Sequence, residues 1–255
     1  MRKVLRSFQP DVVFSTGGYA GGLLGLATKT DFPLFIHEQN VKPGVANLHT
    51  AKFARKVFVS FEASLLEFPK NLRDKIVVSG NPVREIHWTK RYEEVPDGIV
   101  LVLGGSLGSE EINTVMERVY EMDRKNIYYH STGSEFWVRK LSRFKNVRAF
   151  KYIDFMPVLW RKAKFVVARA GATTVAEMIH YKVGGILLPW MGSAESHQLA
   201  NALEAEKAGL ARVVIGGKMS PREILEEINR ATFTERFPMD NPAKTIYKVI
   251  MEEIT

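Results

Sequence analysis

Cysteine is absent from the 255-residue sequence. That rules out disulfides and thiolate metal ligands, and it fits a reducing compartment. Long hydrophobic runs are missing too. No stretch approaches the roughly 20 apolar residues that cross a bilayer. The opening MRKVLRSFQPD carries basic residues but no apolar centre of the kind a signal peptide has. Two hydrolase signatures, Gly-x-Ser-x-Gly and His-Glu-x-x-His, do not occur, and no glycine-rich turn runs on into the Gly-Lys-Ser/Thr of a P-loop. His49, His87, His130 and His180 have no partners at metal-ligand spacing, so no metal site is expected. Acidic residues are in deficit, with 28 Asp and Glu against 36 Lys and Arg and a formal net charge of +8. Such an excess suits general solubility, an anionic membrane surface, nucleic acid or a phosphorylated substrate. Without helix-turn-helix spacing, zinc-finger spacing or an aromatic RNA-binding pattern, nucleic acid is not expected as a partner.

What is present is a regular alternation. Short runs rich in Val, Ile and Phe stand at 11–15, 33–38, 56–60, 75–80, 98–105, 127–132, 147–150, 165–170, 184–189 and 211–215. Runs that are apolar almost throughout suit strands covered on both faces. Segments of helical period lie between them, near 20–29, 44–54, 109–124, 135–143, 154–162, 173–182, 195–208, 220–231 and 241–253. The pattern predicts an α/β fold with doubly wound parallel sheets. The polar stretch 85–97, EIHWTKRYEEVPD, reads as a linker. It divides the chain into a short first lobe, 1–90, and a second lobe, 91–255, with the last helix a candidate to pack back on the first. The first lobe opens on VLRSFQPD, which reads as the tail of a helix. A lobe of this kind normally opens with a strand and a glycine-rich turn.

Three glycine-rich turns follow predicted strands: STGGYAGG (15–22), LGGSLGS (103–109) and ARAGATT (168–174). At such handovers free backbone N–H groups and the helix dipole favour an anion, and glycine lets the backbone come close to it. In open α/β sheets ligands bind outside these carboxyl ends. Ser106 fits either an N-cap or a phosphate contact, and so do Thr173 and Thr174. Glu177, about one turn into its helix, fits either a dipole-complementing glutamate or a bidentate acceptor for a ribose diol. IHEQN (36–40) sets polar side chains at another strand end, as a plain loop or as part of a site. Arg84 in GNPVRE is either a surface residue or a diphosphate partner. In SAESHQLANA, His197 and Asn201 share a helix face at i, i+4, with Gln198 beside them.

Taken together and in order, GGYAGG, IHEQNVKPGVAN, GNPVR, LGGSLGS, HSTG, YIDFMP, ARAGATTVAEM and ESHQLANA strongly resemble the MurG family of bacterial N-acetylglucosaminyltransferases, over about residues 10 to 210. The resemblance implies two Rossmann-like lobes of GT-B type, with the first lobe truncated. It also implies inverting transfer of N-acetylglucosamine from UDP-N-acetylglucosamine to undecaprenyl-linked muramyl-pentapeptide in peptidoglycan synthesis. No metal and no cofactor are implied, and the work is done at the cytoplasmic face of the cell membrane by a peripheral protein on an anionic surface. Carried over by motif, Ser106 would meet the diphosphate with Arg84 close by, and Ile153 would contact the uracil edge. Ala172, Thr173, Thr174, Val175, Ala176 and Glu177 would wrap nucleotide and ribose, with Glu177 on the ribose hydroxyls. Gln198, with Asn201, would hold the sugar hydroxyls, and Asn40 would reach the sugar from the first lobe. Gly17, Gly18 and Tyr19, with Glu38 nearby, would serve the acceptor.

Two departures stand out. Leu107 occupies a position where the family commonly has glutamine. The family's opening strand and GGTGGH-like turn, whose histidine is the favoured catalytic base, do not occur in the 255 residues, so no catalytic base is named. The expectation is donor binding with impaired transfer by this chain alone. The alternatives are a non-catalytic UDP-sugar-binding module, one half of a split glycosyltransferase, or a phosphate-binding α/β scaffold without uridine selectivity.

Overall fold

Each of the ten apolar runs becomes a parallel strand, and the strands form two separate sheets. The computed structural model describes residues 2–28, 31–85, 91–192, 197–216, 219–234 and 239–255. By its packing the chain divides into two units, Met1–Val83 with Asp240–Thr255, and Arg84–Met239.

The first unit runs α1 (Arg2–Phe8), β1 (Val13–Ser15), α2 (Gly18–Thr28), β2 (Leu34–Glu38), α3 (Val45–Ala51), β3 (Lys56–Val59), α4 (Ser64–Glu67), a 3₁₀ turn (Lys70–Lys75) and β4 (Ile76–Val78). Its sheet has the order β1-β2-β3-β4. The period of two along a strand sends alternate side chains to opposite faces. Leu34 and Ile36 of β2 therefore join Val57, Val59 and Ala51 on one side. Phe35 turns to the other side, where it meets Phe58 with ring centroids 6.4 Å apart. The α4 helix and the 3₁₀ turn lie in a stretch assigned no structure from sequence, because one turn is too short to show a period.

The second unit runs α5 (Arg91–Glu94), β5 (Ile99–Leu103), α6 (Glu110–Met122), β6 (Tyr128–Ser131), α7 (Glu135–Leu141), β7 (Val147–Phe150), α8 (Met156–Lys162), β8 (Ala163–Ala168), α9 (Ala172–Tyr181), β9 (Gly185–Leu187), α10 (His197–Lys207), β10 (Ala211–Val213) and α11 (Pro221–Arg230). The stretch read as linker thus contains a helical turn at 91–94, and its residues 86–90 lie outside the described ones. The chain closes with α12 (Pro242–Ile254). Ile246 of that helix, backed by Val249 and Ile250, packs on Phe35 and Phe58 of the first unit.

The second sheet is ordered β10-β9-β8-β5-β6-β7, every neighbouring pair parallel. Chain order therefore reverses between β5 and β8. Such a switch point leaves a crevice outside the carboxyl ends of the two central strands, because the connections leave it in opposite directions. Leu103 and Ala168 end these strands in register. The turns LGGSLGS and ARAGATT, about sixty-odd residues apart in sequence by the usual length of two βαβ units, are consequently side by side.

Candidate functional site

Two local devices shape the crevice of the second unit. Ser109 has extended backbone and accepts a hydrogen bond from the Ile112 N–H at 3.3 Å, so it caps α6. Ser106, weighed as a cap from sequence, is left on the surface of the turn and lines the crevice instead. Gly108 has φ +75°, and a Cβ there would overlap the Thr132 carbonyl oxygen and stand 2.9 Å from the Gly133 Cα. The HSTG segment and the LGGSLGS turn therefore touch backbone to backbone. Glycine at 108 is the only residue type that permits both the dihedral and the approach. His130 of the same segment is fully buried and bonded to the Tyr120 hydroxyl at 3.0 Å. Burial pushes its pKa down to about 3, so it stays neutral in the core.

Above the strand ends lies a cavity of about 700 Å³, lined by Gly104–Glu111, Arg169, Gly171, Thr174, Trp190 and Gln198. That size falls within the roughly 300–1,000 Å³ usual for small-molecule sites. The α9 helix has Gly171 as its N-cap, a residue with no side chain to bond its first N–H groups. These donors and the first turn of α6 both border the cavity, an arrangement that favours an anion. Two carboxylates also sit there, and each has a cationic or N–H partner. Glu111 is 2.6 Å from the Arg169 guanidinium, and Glu110 accepts from the Trp137 indole N–H at 2.7 Å. Arg169 also donates to the Leu188 carbonyl at 2.9 Å, so its charge is held against the crevice wall.

Of the residues proposed from sequence for the donor, Ser106, Thr174 and Gln198 line this cavity together. Gln198 accepts from the Trp190 backbone N–H at 2.9 Å and so anchors the loop after β9. Asn201 is fully buried, its amide donating to the Ala170 carbonyl at 3.4 Å beneath the ARAGATT turn. Ala172 and Thr173 open α9, with Thr173 exposed. Val175 and Ala176 point into the core, which leaves only their backbone for a ligand. Ile153 is buried as well. Leu107 is 91% exposed at the cavity mouth.

Glu177 lies one turn into α9, outside the lining of the cavity. Its carboxyl is partly buried. Burial pushes its pKa up to about 7, against the opposing pull of the Trp160 indole and the Arg84 charge.

The remaining proposed residues belong to the first unit. Gly17 takes φ +83° after β1 and Gly18, the first residue of α2, takes φ +68°, and Tyr19 is 87% exposed. Glu38 is 2% exposed, and its carboxylate is fully engaged. It accepts from the Asn40 N–H at 2.9 Å, the Asn40 amide at 3.3 Å, the Gly44 N–H at 2.9 Å and the Asn47 amide at 2.8 Å. Glu38 thus organises the loop between β2 and α3, and Asn40 is one of the groups it holds. Sequence reasoning left four contributors unassigned: Arg169, Glu111, Trp190 and Asn47. Arg169 carried a usable signal, an arginine directly after a strand end, the same signal that singled out Arg84.

Two family models match the chain. Residues 1–59 match the glycosyltransferase family 28 N-terminal domain, and residues 99–254 match the glycosyltransferase family 28 C-terminal domain. A protein of Thermotoga maritima named UDP-N-acetylglucosamine--N-acetylmuramyl-(pentapeptide) pyrophosphoryl-undecaprenol N-acetylglucosamine transferase is 49% identical over all of this chain and 74% of its own length. The crystal structure of Acinetobacter baumannii MurG superposes with a TM-score of 0.65 at 24% identity, over 89% of this chain and 66% of that one. A UDP-GlcNAc 2-epimerase from Neisseria meningitidis, bound to UDP-GlcNAc, shares the fold with a TM-score of 0.67 at 16% identity, over 98% of this chain and 79% of that one. Both lobes are Rossmann-like α/β units of the GT-B kind. With a relative 49% identical over all of this chain and 74% of its own length, and with both family 28 domains matched, the chain belongs to the MurG family of glycosyltransferases.

Proposed function

We propose that this chain binds UDP-N-acetylglucosamine in the crevice of its second unit, for transfer of the sugar with inversion to a lipid-linked muramyl-pentapeptide. The observation that supports this reading most is the pairing of two glycine turns at the β5/β8 switch point, with the start of α9, whose N-cap Gly171 has no side chain to cap it, beside them. The diphosphate lies against the 104–109 turn and Ser106, with Arg84 supplying positive charge. The α9 start wraps the nucleotide, and Ile153 meets the uracil edge through its backbone. Glu177 accepts the ribose diol, and Gln198 faces the sugar. Asn201 acts from below by holding the turn. Gly17, Gly18 and Tyr19 of the first unit serve the acceptor. Attack on the anomeric carbon needs the acceptor hydroxyl deprotonated, and a positioned base contributes about 10²–10⁴ in rate. No residue of this chain is assigned that task, so residues 1–255 as the sole polypeptide hold donor and transfer little.

The protein works as a peripheral protein on the anionic cytoplasmic face of the membrane. The charge of +8 supports this, as do Tyr19, Leu23 and Leu26, exposed at i, i+4, i+7 along α2. Among the described residues no helix is long and apolar enough to cross a membrane.

The test uses UDP-N-acetylglucosamine labelled in the sugar and a lipid-linked muramyl-pentapeptide in vesicles. Residues 1–255 alone should bind donor and leave nearly all label unincorporated. A fusion that adds the opening segment of the Thermotoga maritima relative should label the lipid, faster on anionic than on zwitterionic vesicles and less so as salt rises. Donor titration of the fusion shows that it is folded. A fusion that binds donor but leaves the lipid acceptor unlabelled contradicts the proposed transfer. Equal rates on both vesicle types contradict the anionic surface.

A further inference from the structure

The Trp160 side chain is 1% exposed, and among the described residues its indole N–H makes no well-formed hydrogen bond, although the Glu177 carboxyl is close enough to feel it. A buried donor left without a partner is costly, so such groups are rare in native structures. This one belongs to α8, and the carboxyl of Glu177 on α9 lies beside it. The ring has little freedom. It stacks on Tyr181 with centroids 6.3 Å apart and planes 5° from parallel. The Tyr181 hydroxyl in turn donates to the Arg84 carbonyl at 3.2 Å. Trp160, Tyr181 and Arg84 therefore form one linked wall around the Glu177 carboxyl.

We infer that Trp160 is a positioning residue for nucleotide binding, its indole N–H donating to the Glu177 carboxylate whenever that carboxylate is ionised, in the free chain as in the bound one, and so holding it charged for the ribose diol. The inference rests on the ribose role proposed above for Glu177 and adds what holds that carboxylate in place. The chemistry is selective for the charged form. An ionised carboxylate is acceptor-only, so it can take the indole donor and two ribose hydroxyls together. A protonated carboxyl loses part of that capacity. Burial of Glu177 favours the neutral form, and the Trp160 N–H and the Arg84 charge oppose it. The other charged or titratable groups near this wall are Arg161, Glu85 and His180, through their influence on Tyr181 and on each other. None of these three is a cause of the Glu177 shift.

Trp160→Phe keeps a stacked aromatic ring and removes the donor, with a small cavity left behind whose cost does not depend on pH. The experiment is titration of the full 255-residue chain with UDP-N-acetylglucosamine between pH 6 and 8.5, a ligand whose own diphosphate does not titrate there. In the native chain affinity should rise with pH through about 7, following ionisation of Glu177. A hydrogen bond to a charged group supports a shift of at least about one pH unit. In Trp160→Phe the midpoint should therefore move up by about that much. Affinity should fall about fivefold at pH 7 and less than twofold at pH 8.5, because binding scales with the competent fraction. In the Glu177→Gln background the Phe substitution should change nothing further. A loss that is the same at every pH, or an unmoved midpoint, would mean a packing role and would overturn the inference. Glu177→Gln without effect on affinity would overturn the ribose assignment instead. If Trp160→Phe does not fold, the indole N–H resonance of Trp160 in the native chain decides. It should move downfield as pH rises through about 7, and an unmoved resonance contradicts the contact.

Discussion

Gly108→Ala should lower the melting temperature of the second unit by roughly 4–24 °C. Gly108 has φ +75°, where a side chain costs about 1–3 kcal/mol of backbone strain. Its new methyl group would also overlap the Thr132 carbonyl oxygen and crowd the Gly133 Cα at 2.9 Å. Those neighbours are backbone, so no rotamer change relieves them, and overpacking of this kind adds about 1–3 kcal/mol. A total of about 2–6 kcal/mol, at about 2–4 °C per kcal/mol for a unit of this size, gives the range above. The displaced turn is the one that carries Ser106, so donor affinity should fall with stability. Differential scanning calorimetry checks the first effect, and a melting temperature within 2–3 °C of the native value, below the ~4 °C expected for the smallest shift, contradicts the backbone contact.

Glu177→Gln should do two opposite things. In the folded chain the Glu177 pKa is raised from its ordinary 4.5 to about 7. The unfolded chain therefore holds its carboxylate ionised over a pH range in which the folded chain keeps a proton. Stability is lost from this group as pH rises between about 4.5 and 7, and above 7 the full cost, on the order of 3 kcal/mol, is present. Glutamine carries no such cost. The variant should melt several degrees higher than the native chain at pH 8 and show little of that gain at pH 4. Donor binding should move the other way. Loss of charge-assisted hydrogen bonds to the ribose, worth about 1.5–3 kcal/mol, weakens affinity about 10- to 150-fold at pH 8. A side chain that destabilises the fold but supports the ligand is the pattern expected of a binding residue held in place by its surroundings. A melting difference that does not change between pH 4 and pH 8 would remove the buried-carboxyl argument.

The strands were legible in the sequence because their residues are apolar on both faces, as in Val100–Val102 and Val166–Val167. The longer helices were legible by period, and α6 and α11 carry Ser109 and Ser220 as side-chain caps. Strand order was not legible. Nothing local to GIVLVLGG or FVVARA states that β8 inserts beside β5, since that pairing depends on which helices cover which face. The site shows the same limit. Residue type in a turn indicates anion chemistry, but the direction of a side chain depends on packing. Ser106 and Ser109 are three positions apart in one glycine turn, and only the geometry shows that the second is the cap. Val175 and Ala176 sit in the motif and turn inward because a helix lying on a sheet must bury one stripe. Glu38 follows a strand end as a site residue often does, yet two backbone N–H groups and two asparagine amides converge on its carboxylate. Trp160 left no signal at all, for a tryptophan in an apolar helix reads as core until its unpaired N–H is seen beside Glu177.

The central claim is that the crevice at the β5/β8 switch point is built for a uridine diphosphate sugar. Isothermal titration of the 255-residue chain with UDP-N-acetylglucosamine, GDP-mannose and inorganic pyrophosphate tests it most directly. The account predicts one site per chain for the uridine sugar, at least about tenfold weaker binding of the guanosine sugar and of pyrophosphate, and, in Glu177→Ala, weaker binding of both nucleotide sugars with pyrophosphate binding unchanged. Equal affinity for all three ligands would contradict it, and would reduce the crevice to a phosphate-binding turn on an α/β scaffold.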